Sequence, residues 1–194
     1  YLFTHQPAHI YTARTAVKTP ADLNGLRIHF QSLTTKTFLE EMGATSVGFP
    51  STEITTHLKA NTIDGFASDH GWAGLAVRPG DLDDYVPEFD AYVTSYALIM
   101  NERAYASIPD DLKVMFDDSV TDVSHDVGAA WDGLDDPGRQ ALLDGGAQII
   151  APSDTAMLAF TAAAEAVKAK ILDQGGEEAV RVRAMMEELA DGRR

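Results

Sequence analysis

The 194-residue sequence contains no cysteine, and this absence removes several kinds of chemistry. A chain without cysteine forms no disulfide bonds, holds no metal through thiolates and has no cysteine nucleophile. The sequence also lacks an apolar run that approaches the roughly 20 residues needed to span a bilayer. We therefore expect a folded chain with no direct membrane insertion.

Clustered positive charge is missing as well. The chain has 15 Lys and Arg against 30 Asp and Glu, a formal net charge of −15. Because nucleic-acid binding depends on groups of Lys and Arg that neutralise phosphates, we expect no nucleic-acid partner. The acidic residues concentrate between Asp110 and Asp144, which is typical of a solvated helix face. A salt-adapted source and a docking surface for a basic partner are the alternative interpretations.

The motifs of metal sites and of nucleophilic catalysis are also absent. No His-Glu-x-x-His motif occurs, and His5 and His9, four residues apart, fall in a segment predicted to be extended. The sequence has no Gly-x-Ser-x-Gly motif and no glycine-rich phosphate loop. We therefore expect no metal, no cofactor and no catalytic residue. A hydrolase that uses Asp64, Asp69 and His70 stays open as an alternative, although adjacent residues cannot stack in a catalytic relay.

Strand-like and helix-like segments alternate along the chain, which predicts βαβ units around a mainly parallel sheet. The predicted strands are 9–16, 26–30, 44–49, 63–67, 89–100 and 147–151, of which 89–100 is the longest. The predicted helices are 32–42, 51–61, 71–77, 101–107, 110–131, 139–143, 153–172 and 177–190.

Proline and glycine mark several boundaries in this pattern. Thr19 followed by Pro20 and Asp22 is a helix-start signature. Pro137 is expected to break or kink any helix that crosses it, because proline lacks the backbone N–H. Gly175-Gly176 is expected to interrupt the last helical region, and Pro79-Gly80 to end helix 71–77.

The carboxyl ends of the predicted strands carry the candidate binding residues. Ligands of open α/β sheets bind beyond these ends. An imidazole, a guanidinium, a hydroxyl and an indole together suit an anion with an apolar part. Taken singly, each residue also has an ordinary structural explanation, as a strand-end polar group or a core aromatic. The candidates are His29, Ser68, Asp69, His70 and Trp72, together with Arg14 at the end of the first strand.

Four segments occur in an order that is similar to one known family. They are VKTPADLNGLRIHF, LEEMGATSVGFPSTEITTHLKANTIDGF, YALIMNERAYASIPDDLKVMFDD and GGAQIIAPSD. In combination they resemble the solute-binding proteins of TRAP transporters, of the DctP type, over about residues 16–172.

The resemblance implies an α/β, periplasmic-binding-protein-like two-lobe fold. It implies that the chain lacks the N-terminal part of the family fold and has one complete lobe plus part of the second, with a long connecting strand and helix. The implied divisions are a main α/β lobe at 7–94, a connector at 95–134 that belongs partly to the other lobe, and a return to the main lobe at 135–194.

The resemblance also implies a function that is not enzymatic. The expected role is periplasmic capture of a small organic acid, bound through its carboxylate, and delivery to the membrane permease of a TRAP transporter. No cofactor is implied. A binding protein for signalling and a relative that binds nothing are the alternatives.

His29 departs from the family pattern, which usually has an arginine whose guanidinium forks onto the ligand carboxylate. A neutral imidazole offers one donor, and only the protonated ring carries charge. Carboxylate binding is therefore expected to be weaker or dependent on pH. Arg27, Arg14 and His9 are the residues expected to compensate.

A second group of expected contacts follows strand 63–67. Ser68 falls where many family members place an asparagine or another polar contact residue, and His70 and Trp72 follow in the same loop. Trp72, with Phe66 nearby, indicates a ligand with an apolar or aromatic part.

Overall fold

The structure, a computed structural model, describes residues 2–77 and 84–191. Its strands are β1 (Leu2–Thr4), β2 (His9–Ala13), β3 (Arg27–His29), β4 (Thr45–Val47), β5 (Gly65–Ser68), β6 (Asp84–Pro87), β7 (Ser95–Ala97) and β8 (Gln148–Ile150). Its α-helices are α1 (Leu33–Glu41), α2 (Ile54–Lys59), α3 (His70–Trp72), α4 (Glu102–Ala106), α5 (Asp110–Asp144) and α6 (Asp154–Asp191). Two 3-10 turns, Pro20–Leu23 and Ser51–Glu53, and a π-helical turn, Ala73–Val77, complete the described elements.

Six strands form one mixed sheet in the order β4-β3-β5-β2-β6-β8. The pairs β3–β4, β3–β5 and β6–β8 are parallel, whereas β2 is antiparallel to both of its neighbours. The sheet is thus less uniformly parallel than the sequence indicates. Because β2 is reversed, His9 at its start lies opposite Ser68 at the end of β5.

The sheet has a hydrophobic cluster on each face. Neighbouring residues of β2 belong to different clusters, Ile10 to the first and Tyr11 to the second, as the alternation of a strand requires. The first cluster includes Phe38 of α1 and Phe160 of α6. The second includes Leu142 of α5, together with residues of α2 and the π-helical turn. The helices therefore cover both faces of the sheet, as in other α/β folds.

Side-chain caps confirm two predicted helix starts. Asp22 accepts hydrogen bonds from the backbone N–H groups of Lys18 and Thr19 at 2.9 and 2.8 Å, which completes a capping box at the first 3-10 turn. Ser32 accepts one from the N–H of Thr35 at 3.1 Å and begins α1.

Helix α5 continues across Pro137 without the predicted break. Gly138, the next residue, packs against the backbone of α3, so that a Cβ there would lie 2.2 Å from the carbonyl oxygen of His70. Tertiary packing therefore holds the helix together where proline removes an internal hydrogen bond. The interruption predicted in the last helical region is confirmed, because Gly176 has non-helical φ and ψ of 59° and −151°.

The long strand predicted at 89–100 is wrong. Asp90 adopts a positive φ of 48°, which ends the extended run. Only Ser95–Ala97 is a strand, paired antiparallel with β1 in a separate two-stranded sheet. The domain boundaries at 7–94, 95–134 and 135–194 stay predictions.

Two other expectations concern the end of a predicted helix and the crossing of a membrane. The helix end predicted at Pro79-Gly80 lies outside the described residues. Within the described part of the chain, the helices lack the combination of length and apolarity that crossing a membrane requires.

Candidate ligand-binding site

A cavity of about 460 Å³ lies where strands β3, β4 and β5 end. His29 ends β3, Phe49 follows β4, and Asp69 directly follows β5. Six of the eleven lining residues are phenylalanine, tyrosine or tryptophan. The complete lining is Phe3, His5, His29, Phe30, Gln31, Phe49, Ser51, Asp69, Trp72, Tyr96 and Trp131. The cavity is therefore a partly open cleft with a mainly aromatic lining and a few polar groups.

One wall of the cavity is a set of rings from three distant parts of the chain. The His5 ring lies 3.7 Å from that of Trp131 and 4.7 Å from that of Tyr96, between ring centroids. Phe3 stacks on Tyr96 at 5.2 Å. These residues come from the β1 region, β7 and α5, so this aromatic wall forms only when those elements pack together.

His29 lines the cavity at the end of β3, and its hydrogen bond fixes its tautomer. Its Nε2 lies 2.9 Å from the carbonyl oxygen of Phe49, and the two rings are 4.4 Å apart. A carbonyl oxygen only accepts hydrogen bonds, so Nε2 carries the hydrogen. Burial lowers the pKa of His29, which keeps the ring neutral at pH 7. The other nitrogen, Nδ1, therefore has a free lone pair.

The Nδ1 atom of His29 is buried and has no hydrogen-bond partner among the described residues. A buried acceptor without a partner costs about 1–3 kcal/mol. A neutral ring whose single N–H is already bound is poorly suited to hold a carboxylate. The geometry thus disfavours the charged contact expected for this position from the sequence.

Asp69 is held by two hydrogen bonds at the cavity. Its Oδ1 accepts a hydrogen bond from the backbone N–H of Trp72 at 2.8 Å and thereby caps α3. Its Oδ2 lies 2.9 Å from Nδ1 of His5. Both carboxylate oxygens are thus occupied by groups of the protein. The indole Nε1 of Trp72 is buried without a partner among the described residues and is a second unused polar group beside the cavity.

His9, at the start of β2, and His70, at the start of α3, are buried outside the cavity lining. Their rings stack at 4.3 Å. Nδ1 of His70 is 2.8 Å from the hydroxyl of Tyr11, and Nε2 is 3.2 Å from Glu88, which also pairs with Arg139. Burial, and then electrostatic interaction with His70, lower the pKa of His9 to about 4, so its ring is neutral at pH 7.

The candidate arginines are placed away from the cavity by the sheet topology. Arg14 is exposed and follows the carboxyl end of the reversed strand β2, at the edge opposite His29. Arg27 binds Asp64 through two hydrogen bonds of 2.8 and 2.9 Å. Its guanidinium, as the largest cause, holds the pKa of Asp64 below the ordinary value.

Two further expectations concern residues of β5. Ser68 is buried beside the cavity, and its hydroxyl oxygen accepts a long hydrogen bond of 3.5 Å from Gln31, which does line the cavity. Phe66 stacks on Tyr11 at 4.8 Å in the core and is not a lining residue.

The three residues of the hydrolase alternative are separated. Asp64 precedes β5 and is bound to Arg27, whereas Asp69 follows β5. His70 points its two nitrogens at Tyr11 and Glu88. These partners leave no shared reacting position for the three side chains, so the arrangement does not suit acid–base hydrolysis.

Sequence reasoning missed most of the aromatic lining. Phe3, Tyr96 and Trp131 line the cavity. The sequence patterns did not predict their segments to contact a ligand. The available signal was local: Phe30 and Phe49 are the last residues of the predicted strands 26–30 and 44–49, where ligand contacts are common.

Residues 4–174 match the family of bacterial extracellular solute-binding proteins, family 7, also called DctP. The match extends over most of the chain and includes every lining residue of the cavity except Phe3.

Solved structures show the same fold. A marine metagenome TRAP solute-binding protein specific for aromatic acid ligands, in complex with 3-hydroxybenzoate, is 25% identical with a TM-score of 0.84, over 98% of this chain and 62% of that one. A TRAP solute-binding protein from Rhodoferax ferrireducens T118, in complex with copurified benzoate, is 26% identical with a TM-score of 0.83. This match covers 100% of this chain and 64% of that one. A TRAP periplasmic solute-binding protein from Shewanella oneidensis with bound succinate is 20% identical with a TM-score of 0.83. This match covers 93% of this chain and 59% of that one, and it supports the fold alone.

The chain thus spans about three fifths of the length of these solved proteins and has the α/β architecture of their two-lobe fold. With the family match over residues 4–174, this identifies the chain as a member of the bacterial extracellular solute-binding proteins, family 7.

Proposed function

We propose that this protein captures a small aromatic carboxylate in the cavity described above and does not convert it chemically. The observation that carries the proposal is the ring-lined cavity of about 460 Å³. This volume lies within the range of roughly 300–1,000 Å³ for small-molecule sites. The flat rings of the lining favour a flat, apolar ligand body, because stacked and edge-to-face aromatic pairs are favourable.

Two relatives support the ligand class. The proteins at 25% and 26% identity are in complex with 3-hydroxybenzoate and benzoate. Each of these ligands is a single ring with a carboxylate. The aromatic cavity of this chain suits that chemistry better than it suits a sugar acid, which needs many polar partners.

We assign the carboxylate contact to His5. Among the described lining residues there is no Lys or Arg, and His29 is held neutral by burial. His5 is bound to Asp69 through Nδ1, which leaves Nε2 for a ligand. When protonated, the ring donates one hydrogen bond to Asp69 and a second to the ligand carboxylate.

Delivery to a membrane permease of the TRAP type is part of the proposal, and family membership supports it. So is a location outside the cytoplasm, in the periplasm. A ligand that contacts both lobes stabilises the closed form in proportion to its preference for that form, and the permease recognises that form. A signalling role is the alternative, and a permease gene beside the gene for this chain distinguishes transport from it.

Calorimetric titration of the protein at its full encoded length tests the ligand class. Benzoate is compared with cyclohexanecarboxylate, which has the charge without the aromatic ring, and with benzamide, which has the ring without the charge. The proposal predicts that benzoate binds most tightly of the three. Binding of succinate in place of benzoate would overturn the aromatic assignment.

A pair of variants on helix α5 tests the location. Trp131→Ala removes a ring of the aromatic wall and is expected to weaken benzoate binding at least tenfold, because buried aromatic anchors dominate binding energy. Phe116→Ala removes an aromatic ring from the same helix outside the cavity lining and is expected to leave the affinity unchanged. Equal effects of the two changes would contradict the placement.

A further inference from the structure

We infer that His29 selects aromatic acids that carry a hydroxyl group, by accepting a hydrogen bond from that hydroxyl at Nδ1. The inference rests on the proposed function and adds a subclass of ligand to it. It gives His29 the role of an acceptor, which is the reverse of the carboxylate-binding role expected at this position from the sequence.

The acceptor role follows from the hydrogen bond on the other side of the ring. The carbonyl oxygen of Phe49 lies 2.9 Å from Nε2 and requires a hydrogen there. In a neutral imidazole the second nitrogen then has a lone pair and no hydrogen. A ligand carboxylate has no hydrogen to offer Nδ1, whereas a hydroxyl has one.

The surroundings of Nδ1 leave this acceptor unused. His29 is 2% exposed, and no hydrogen bond of a described residue reaches Nδ1. The ring nevertheless forms part of the cavity wall. Because buried polar groups are nearly always paired, an unpaired acceptor in a cavity wall indicates a partner supplied by the ligand.

The hydroxyl reaches Nδ1 only after a small side-chain shift, since this atom is shielded from solvent. Phe30 follows His29 directly in the chain, and the carbonyl oxygen of Phe49 accepts the hydrogen bond from Nε2 of His29. Both phenylalanines also line the cavity. A rotation of the His29 ring that keeps Nε2 on the Phe49 carbonyl is the smallest change that exposes Nδ1.

The positions of His29 and His5 restrict where the hydroxyl lies on the ligand ring. His5 belongs to the aromatic wall near β1, and His29 to the wall at the end of β3. A hydroxyl at the meta or para position points away from the carboxylate, and we expect it to meet His29 while the carboxylate contacts His5. An ortho hydroxyl donates to its own carboxylate and gains nothing from His29.

A ligand series and one conservative substitution test the inference in the protein at its full encoded length. The ligands are benzoate, 2-, 3- and 4-hydroxybenzoate and 3-methoxybenzoate. His29→Gln places an amide N–H where Nε2 donates to Phe49 and has no ring nitrogen at the Nδ1 position; its own acceptor, Oε1, is bonded to the same carbon as that N–H. His57→Gln is the matched control, because His57 stacks on Phe49 at 4.0 Å but is not a lining residue.

The wild-type protein is expected to bind 3- or 4-hydroxybenzoate about tenfold more tightly than benzoate, the size of one buried hydrogen bond. The protein is expected to bind 3-methoxybenzoate and 2-hydroxybenzoate no more tightly than benzoate. In His29→Gln the ratio of hydroxybenzoate to benzoate affinity is expected to fall close to one, and in His57→Gln to stay at the wild-type value.

Each outcome separates this inference from the proposed function. If benzoate binds and the hydroxyl adds nothing, or if His29→Gln keeps the preference, the acceptor role is overturned and the aromatic ligand class stands. If no aromatic acid binds the folded protein, the proposed function itself fails.

A measurement without mutation covers the case in which His29→Gln does not fold. The ¹⁵N spectrum of the wild-type histidines is expected to show an unprotonated Nδ1 for His29 whose resonance moves with 3-hydroxybenzoate and not with 3-methoxybenzoate. A hydrogen on Nδ1, or the same movement with both ligands, overturns the inference.

Discussion

Replacement of Gly138 by alanine tests whether the close contact between helix α5 and α3 shapes the cavity. A Cβ at Gly138 would lie 2.2 Å from the carbonyl oxygen and 2.5 Å from the carbonyl carbon of His70. The opposing Gly74 is equally tight, since its Cβ would lie 2.0 Å from the carbonyl oxygen of Gly138. Backbone atoms cannot rotate out of the way, so the two elements must separate.

The cost can be isolated with a second glycine of the same helix. A Cβ at Gly128 would have no atom within 4 Å. Both substitutions gain the helix propensity of alanine over glycine, up to about 1 kcal/mol. The difference between the two variants is therefore the overpacking cost at Gly138, about 1–3 kcal/mol. Gly128→Ala is expected to be more stable than wild type, and Gly138→Ala less stable than Gly128→Ala by that amount.

Urea denaturation followed by circular dichroism gives the two free energies of unfolding. Because α5 carries Trp131 and α3 carries Trp72, Gly138→Ala is also expected to weaken benzoate binding. Equal stability of the two alanine variants would refute the close contact between α5 and α3. If Gly138→Ala is destabilised but binds benzoate with unchanged affinity, the contact does not shape the cavity.

Three further predictions concern charge. Asp64→Asn is expected to cost up to about 1 kcal/mol at pH 7, since the pair with Arg27 is partly exposed. The pKa of Asp64 is lowered in the folded state, so this stability is lost as the pH falls through that lowered pKa, and the denaturation curves of variant and wild type should converge only below about pH 4. The protein is expected to lose stability as the pH falls from 6.5 to about 4, because in this range His9 is protonated in the unfolded state but stays neutral in the folded state. His9→Leu removes this titrating group, so the melting temperature of the variant should depend less steeply on pH over the same range. His5→Asn keeps a donor for Asp69 and removes Nε2, so calorimetry should show weaker binding of every carboxylate; an unchanged affinity would move the charged contact to another residue.

Local sequence signals predicted the helix starts and the family-level fold well. The Thr19 capping box depends on residues within a few positions of one another, and so does the interruption at Gly176. Such features are fixed by the chemistry of neighbouring residues, which the sequence displays directly. The order of the family segments then supplied the two-lobe α/β architecture that the solved relatives share.

Features that depend on strand direction and distant packing were harder to predict. Arg14 was expected near the ligand because β2 was assumed to run parallel to its neighbours, and its reversal moves that residue to the other edge. Trp131 and His5 meet across 126 positions of sequence at 3.7 Å, and no local pattern reports such a contact. The acceptor state of His29 depends on a carbonyl 20 residues away, which only the folded chain brings into contact with the ring.

A crystal structure of the protein at its full encoded length, grown with benzoate, tests the central claim most directly. The account predicts benzoate in the cavity, with its ring against Trp72 and Trp131 and its carboxylate at Nε2 of His5. Benzoate bound at another surface, or a cavity of the same crystals filled by solvent at saturating benzoate, would contradict the account.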